Sequence, residues 1–313
     1  MENYHRAYTP KNIEWFYFRI AKHLIKIATS GGISMTKSLP SFAPFIVEPK
    51  VGEALLLSIE LTTDPAPEVP GDTKLLSDTS IVWEERFRFE EAPECYVTTI
   101  EATAGDMPWK MVSSPDFTDS TIYALASELY STSKLSWLTM VVFGQAALRH
   151  HTIIMHASVV EKDGLGYAFL GKSGTGKSTH SRLWLNNIYG TCLLNDDNPV
   201  IRVHSGGEVF IYGTPWSGKT PCYKQAEVGL GAIIRLEQAP FNQLKWKRGK
   251  EALIALLPSG SAIRWNPDLF SNMVETLDAV RNKVSVGVLK CLPNKEAACL
   301  CYREIANNEY RRS

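Results

Sequence analysis

An α/β fold that carries a phosphate-binding loop and follows a strand-rich domain is predicted by three observations on this 313-residue sequence. The first is Gly171–Thr179 (GKSGTGKST), which meets the spacing G-x-x-x-x-G-K-[ST] at Gly171, Gly176, Lys177 and Ser178. The second is its setting. A short apolar run, Tyr167–Leu170, leads into the loop, and a helical pattern, Thr179–Asn186, leads out. The third is a change of period near residue 130. Ahead of it the chain is rich in aromatic and β-branched runs; behind it the order becomes strand, loop, helix, strand. These observations predict a strand-rich N-terminal domain over 1–130 and a domain built on the loop over 131–313.

The N-terminal domain is expected to contain strands over Trp15–Ile27, Ala54–Thr62, Ile81–Phe89 and Tyr96–Glu101. Trp83, Arg86, Phe87, Arg88 and Phe89 alternate in part, as a half-buried antiparallel sheet requires. Asp64–Asp72 carries three prolines and reads as a turn segment. Over Ser136–His150 the period shifts: Leu138, Val141, Val142 and Leu148 share a helical face, with Ser133 or Ser136 as cap. Beyond it, Ile153–Val160 is expected as a strand. Cys192–Leu194 follows the loop helix as another and ends in Asn195-Asp196-Asp197. Val200–Val203 and Val209–Tyr212 form a hairpin about Gly206-Gly207. Val228–Leu236 is a buried strand, Lys250–Leu257 and Asp268–Asn282 are helices, and Val284–Leu289 is a late strand. Asn294–Ala306 is the last helix, with Asn294 as cap.

Composition narrows the function. Formal net charge is zero, which argues against a general nucleic-acid binder, since such domains carry excess Lys and Arg. No stretch approaches the roughly 20 apolar residues of a spanning helix. Arg19, Lys22, His23 and Lys26 interrupt the N-terminal apolar residues, so no export signal is read there. Cys95, Cys192, Cys222, Cys291, Cys299 and Cys301 are scattered with no CxxC pair, which predicts free thiols and no zinc site; with the zero charge and the missing apolar span, the expectation is a cytoplasmic protein with no membrane or nucleic-acid partner.

The chemistry is expected along the loop. Gly171, Lys172, Ser173, Gly174, Thr175, Gly176, Lys177, Ser178 and Thr179 cradle the phosphates of ATP. Glycines let successive N–H groups converge on a phosphate, and the following helix adds the positive end of its dipole. Lys177 reaches the terminal phosphates and the Ser178 hydroxyl ligates Mg²⁺. Asp196 and Asp197 come next: one carboxylate at this place can hold the metal and its neighbour can accept a proton from an attacking hydroxyl. The competing reading of Asn195–Asn198 is a plain turn. His156 is read as a hydrogen-bonded core residue, and His150 and His151 as lying at a helix end. Tyr212–Lys219 (YGTPWSGK) is either a tight connection with a packed indole or a second phosphate-facing loop in which Lys219 adds charge at the transferring phosphoryl group.

Residues ~150–220, under a third of the chain, resemble the catalytic domain of HPr kinase/phosphorylase, whose nucleotide core is similar to that of ATP-dependent phosphoenolpyruvate carboxykinase. The resemblance is carried by His156 before the loop, by Phe169–Ser178 (FLGKSGTGKS) and by Asn195-Asp196-Asp197. It implies a P-loop kinase domain of the HPr kinase / phosphoenolpyruvate carboxykinase type. It also implies Asp196 as catalytic base, Asp197 as a metal-side partner and His156 as an active-site residue. The chain departs from the pattern downstream, where Tyr212–Lys219 and Leu257–Arg264 stand in place of the family's glutamate-bearing signature and Arg-containing loop. The implied reaction is transfer of the γ-phosphoryl group of ATP, with Mg²⁺, to a hydroxyl of a protein, peptide or small molecule, serine being the expected acceptor. Homo-oligomerisation is carried as an expectation. The alternatives are a nucleotide-binding regulator without phosphotransfer and a carboxykinase-like enzyme.

Overall fold

The computed structural model describes residues 13–30, 32–69, 72–82, 85–102, 108–218 and 220–310. It is a mixed α/β chain that divides into two units, Met1–Phe18 with Leu24–Thr139, and Arg19–His23 with Met140–Ser313. The division falls inside a helix that the sequence placed wholly in the second domain.

The first unit is built on an eight-stranded sheet. Its strands are β1 (Ile13–Ile20), β2 (His23–Ser30), β3 (Leu55–Thr62), β4 (Lys74–Val82), β5 (Glu85–Ala92), β6 (Cys95–Ala102), β7 (Trp109–Ser113) and β8 (Asp119–Tyr123), in the order β1-β2-β3-β8-β7-β6-β5-β4. β3 lies parallel to both β2 and β8, and β8 through β4 form an antiparallel meander. Between β2 and β3 a short helix, α1 (Met35–Ser38), and a 3-10 turn over Pro40–Phe45 lay Phe42 and Phe45 against the sheet. The Phe18 and Phe42 rings meet edge-on at 5.3 Å.

Three expectations are corrected here. The run Trp15–Ile27 is two strands rather than one, because Ala21 and Lys22 both adopt positive φ (48° and 66°) and turn the chain back. Neither is the Gly, Asn or Asp that would signal such a turn. Ile81–Phe89 likewise spans the end of β4 and most of β5; Trp83 and Glu84 lie outside the described residues. The strands β7 and β8, only five residues each, were not read from the sequence. They join the sheet because Trp109, Met111 and Ile122 are buried on one face.

α2 (Lys134–Ala146) continues as a 3-10 turn over Ala147–His150 and ends at His151, whose φ of 49° breaks the helix. The second unit is a nine-stranded sheet with α3 (Lys177–Asn187), α4 (Gly249–Leu256), α5 (Pro267–Lys283) and α6 (Lys295–Tyr310). Its strands are β9 (Thr152–Ile154), β10 (Ala157–Lys162), β11 (Leu165–Leu170), β12 (Cys192–Asp197), β13 (Val200–Val203), β14 (Val209–Tyr212), β15 (Glu227–Gln238), β16 (Gln243–Lys247) and β17 (Ser285–Cys291). The main path runs β12-β10-β11-β15-β14-β13-β9. β15 is long enough to serve two partners on one edge: Glu227–Gly229 pairs antiparallel with β14, and Ala232–Gln238 pairs parallel with β17. Its other edge runs parallel to β11.

The core that positions the loop lies between this sheet and helices α3 and α6. β11 reads LGYAFL and is buried almost throughout, as a central strand covered on both faces must be. Trp184 of α3 is fully buried with its ring 5.3 Å from Phe169, 5.4 Å from Tyr167 and 5.6 Å from Tyr302. Leu236, Leu289, Ala298 and Ile305 complete the cluster. Burying an aromatic of this size contributes on the order of 3 kcal/mol, so α3 is held against β11 by packing. Asn294 caps α6, its Oδ1 accepting from the Ala297 N–H at 3.0 Å.

Ile153–Val160 is also corrected. It is β9 and β10 separated by Met155-His156, because the two strands pair with different neighbours: β9 with β13, β10 with β11 and β12. In the gap the Met155 N–H donates to Pro199 O and the His156 N–H to Ser259 O, at 3.0 and 2.7 Å.

Candidate functional site

β11 ends at Leu170, and the chain then curls through Gly171–Gly176 before α3 begins at Lys177. The Thr175 N–H donates to Lys172 O at 3.1 Å, and the first helical bond runs from the His180 N–H to Gly176 O at 2.8 Å. The N–H groups of Lys177, Ser178 and Thr179 therefore lie in the first turn, where a helix has no internal acceptors for them. Gly174 and Gly176 adopt φ of 78° and 104°, a region that strains any residue with a Cβ. Lys172, Ser173 and Gly174 are exposed, while Ser178 and Thr179 are half-buried.

Lys177 is buried and folds back across the loop. Its Nζ donates to Gly171 O at 3.1 Å and Lys172 O at 3.4 Å, and lies 2.7 Å from His156 Nε2. On the far side of the ring, His156 Nδ1 lies 3.0 Å from Asp197 Oδ1. An ammonium can only donate, so Nε2 accepts from Lys177 and Nδ1–H donates to Asp197. His156 is thus not an isolated core histidine; it joins the loop lysine to the acidic pair. Burial pushes the Lys177 pKa down, opposed by the charges of Asp197 and Asp196.

The acidic pair is part of a strand, not a turn: Asp196 and Asp197 sit opposite Ser158 and Ala157 in the β10–β12 register. Their environments differ. Asp197 also accepts from Asn198 Nδ2 at 2.9 Å. Asp196 is 3% exposed, and its carboxylate makes no hydrogen bond or ion pair to another described residue; its backbone O accepts from the Ser217 hydroxyl and the Gly218 N–H. Asp197 holds φ of 144°, outside the regions that residues with a Cβ favour. Such strain persists only where surroundings enforce it, and it concentrates at functional sites.

The enforcing element is the loop after β14. Asn195, fully buried, donates from Nδ2 to Thr214 Oγ1 at 3.1 Å and Trp216 O at 3.4 Å, while its Oδ1 accepts from the Asn198 N–H. Thr214 Oγ1 donates to Asn198 O at 2.8 Å. The Trp216 indole packs on Phe143 at 5.3 Å. Gly218 passes so close that a Cβ there would meet Asp196 O at 3.0 Å and Asp197 Cβ at 3.1 Å. Tyr212–Gly218 is therefore a tight connection with a packed indole that clamps the acidic pair. Lys219 lies outside the described residues.

Sequence reasoning missed Arg235 and Ser259. Arg235 sits opposite Leu170 in the β11–β15 register, one residue ahead of the loop. The signal was present: a lone Arg inside the apolar run Ala232–Leu236. A cavity of about 670 Å³ also opens beside the loop, between α3 and the ends of β15 and β17. Gly174, Thr179, Leu183, Leu236, Pro240 and Leu292 are among its walls.

No protein-family model and no curated protein matches the chain. Among solved structures, the HPr(Ser) kinase/phosphatase from Coxiella burnetii is similar over 51% of this chain and 97% of that one, at 12% sequence identity and a TM-score of 0.31. A likeness of that size does not establish a shared fold. No helix among the described residues is long and apolar enough to cross a membrane.

Proposed function

We propose that this protein is an ATP-dependent phosphotransferase that moves the γ-phosphoryl group to a hydroxyl. One observation carries the reading. The loop lysine, Lys177, is joined through His156 to the acidic pair, and the pair includes a buried carboxylate, Asp196, that bonds to no other described residue.

The residues present fit ATP and Mg²⁺. The loop offers N–H groups, two glycines at positive φ and a helix N-terminus, the combination that receives phosphate. The cavity beside it has apolar walls suited to a flat base, with Gln238 as a polar side chain. Ser178 and Asp197 would hold the metal. An ion held this way takes one carboxylate from the chain and completes its shell with phosphate oxygens and water. Bound there, Mg²⁺ would neutralise charge developing on the phosphates.

The protein's own groups then divide the work. Loop N–H groups and Lys177 orient the triphosphate. His156 holds Lys177 and Asp197 in a fixed array. Asp196 takes the proton from the acceptor hydroxyl as that hydroxyl attacks, a role that requires a carboxylate free of other bonds. The test is nucleotide-dependent phosphorylation of hydroxyl-bearing peptides and small molecules, read by mass spectrometry. Asp196→Asn keeps size and shape but accepts no proton. It is expected to slow transfer by about 10²–10⁴-fold and to leave ATP affinity within a few-fold. Transfer at the wild-type rate by Asp196→Asn would contradict the proposal.

A further inference from the structure

Arg235 is a cation held, among the described residues, by neutral acceptors. Its Nη1 donates to Ala255 O at 2.9 Å and to Ser259 Oγ at 3.4 Å. Among the described residues it forms no ion pair. It is half-buried, and burial lowers its pKa against the partial support of Glu237. Lys134 and Arg281, by contrast, are ion-paired, with Glu128 and Asp278. A half-buried guanidinium left with neutral acceptors retains unused donors and a charge that Glu237 offsets only in part.

Its charged neighbour on the loop side makes this sharper. Ser259 joins the two: its hydroxyl accepts from Arg235, its carbonyl accepts from the His156 N–H, and the His156 ring accepts from Lys177. Arg235 acts on Lys177 as a like charge, helping to depress its pKa. A buried lysine and a half-buried arginine that act on each other as like charges are unfavourable until an anion comes between them. The anion that the loop lysine is built to meet is the end of a triphosphate.

We infer that Arg235 binds the terminal phosphate of the nucleotide, from β15 on one flank of the loop strand while the acidic pair lies on β12 beyond the other, and so distinguishes a triphosphate from a diphosphate. The inference rests on the nucleotide-site reading above. An arginine suits the place because its planar fork can bond two phosphate oxygens while Nη1 stays tethered to α4 and the turn after it.

The test is calorimetric titration of the full chain with ADP and with a β,γ-imido analogue of ATP, each with Mg²⁺. Arg235→Gln is expected to weaken the triphosphate analogue by about 10–100-fold, the value of a charge-assisted hydrogen bond or two, and to leave ADP within about two-fold. Arg235→Lys keeps the charge but not the fork, and is expected to lose part of the triphosphate preference. If Arg235→Gln fails to fold, Arg235→Lys carries the test. Equal losses for both nucleotides, or no loss for the triphosphate, would overturn the inference. If Lys177→Ala weakens both nucleotides while the Arg235 variants change neither, the nucleotide site stands and the role of Arg235 falls. If the wild-type chain binds neither nucleotide, both fall.

Discussion

Acid should unfold this protein through two histidines held neutral in the second unit. His23 is buried, and burial pushes its pKa down to about 3, with Arg202, His150 and His204 adding to the shift. Its Nε2–H donates to Thr152 Oγ1 at 2.9 Å, since that hydroxyl itself donates to His150 O. His180 on α3 is buried too, with a pKa lowered to about 4 by desolvation. Its Nε2 accepts from the Trp184 indole N–H at 3.2 Å, so protonation there would set two donors against each other. Both folded values lie below the ordinary 6.5, so the unfolded chain binds the extra protons. The stability is fully present above about pH 6.5 and is lost as pH falls toward the folded values. Each group removes about 1.4 kcal/mol per pH unit in that window. At pH 5 the loss is about 2 kcal/mol per histidine and about 4 kcal/mol for the pair. That result is insensitive to the folded values, which both lie a unit or more lower. Urea unfolding between pH 7.5 and 5 measures it. His23→Asn, which keeps a donor for Thr152, should remove about half the dependence. A flat stability profile from pH 6.5 to 5 would show that these histidines are not held neutral by burial.

Two further outcomes follow from the described contacts. Asp197→Asn should raise the Mg²⁺ concentration needed for transfer and weaken the hold on His156, whereas Asp196→Asn should leave the Mg²⁺ requirement unchanged. A Mg²⁺ titration of both variants reads this, and identical curves would remove the division of roles. In the first unit the Glu128 carboxylate receives Lys134 Nζ at 2.6 Å and the Trp109 indole N–H at 2.8 Å, with the Lys134 side chain 3% exposed. Glu128→Ala should cost about 3 kcal/mol in urea unfolding, the scale for removing one partner of a buried pair. A loss below about 1 kcal/mol would place the pair in the class of surface bridges.

What could be read from the sequence was what short-range chemistry dictates. The strand before Gly171–Thr179 and the helix after it were legible because both are strongly patterned and the glycines between them break the period. The hairpin of β13 and β14 and the Asn294 cap followed from turn and cap residues alone. Elements whose cause lies elsewhere in the chain were missed. Ala21-Lys22 turns the chain without a turn residue. The break at Met155-His156 exists because Pro199 and Ser259 receive its N–H groups, from 44 and 103 residues downstream (199 − 155; 259 − 156). β16, with alternating exposed and half-buried residues and no fully buried one, carries too weak a pattern to be read as a strand. The candidate site divides the same way. Lys177, Ser178 and the acidic pair are local motifs. The His156 link and the Arg235–Ser259 contact depend on tertiary placement, and no spacing rule reveals them.

Titration of the full chain with ATP and Mg²⁺ by calorimetry, wild type beside Lys177→Ala, tests the central claim most directly. The loop lysine meets the terminal phosphates only if Gly171–Thr179 binds a nucleotide. The wild type should bind stoichiometrically, and removal of the Lys177 charge should reduce affinity at least about ten-fold. No binding by the wild type, or equal affinity in both proteins, would contradict it.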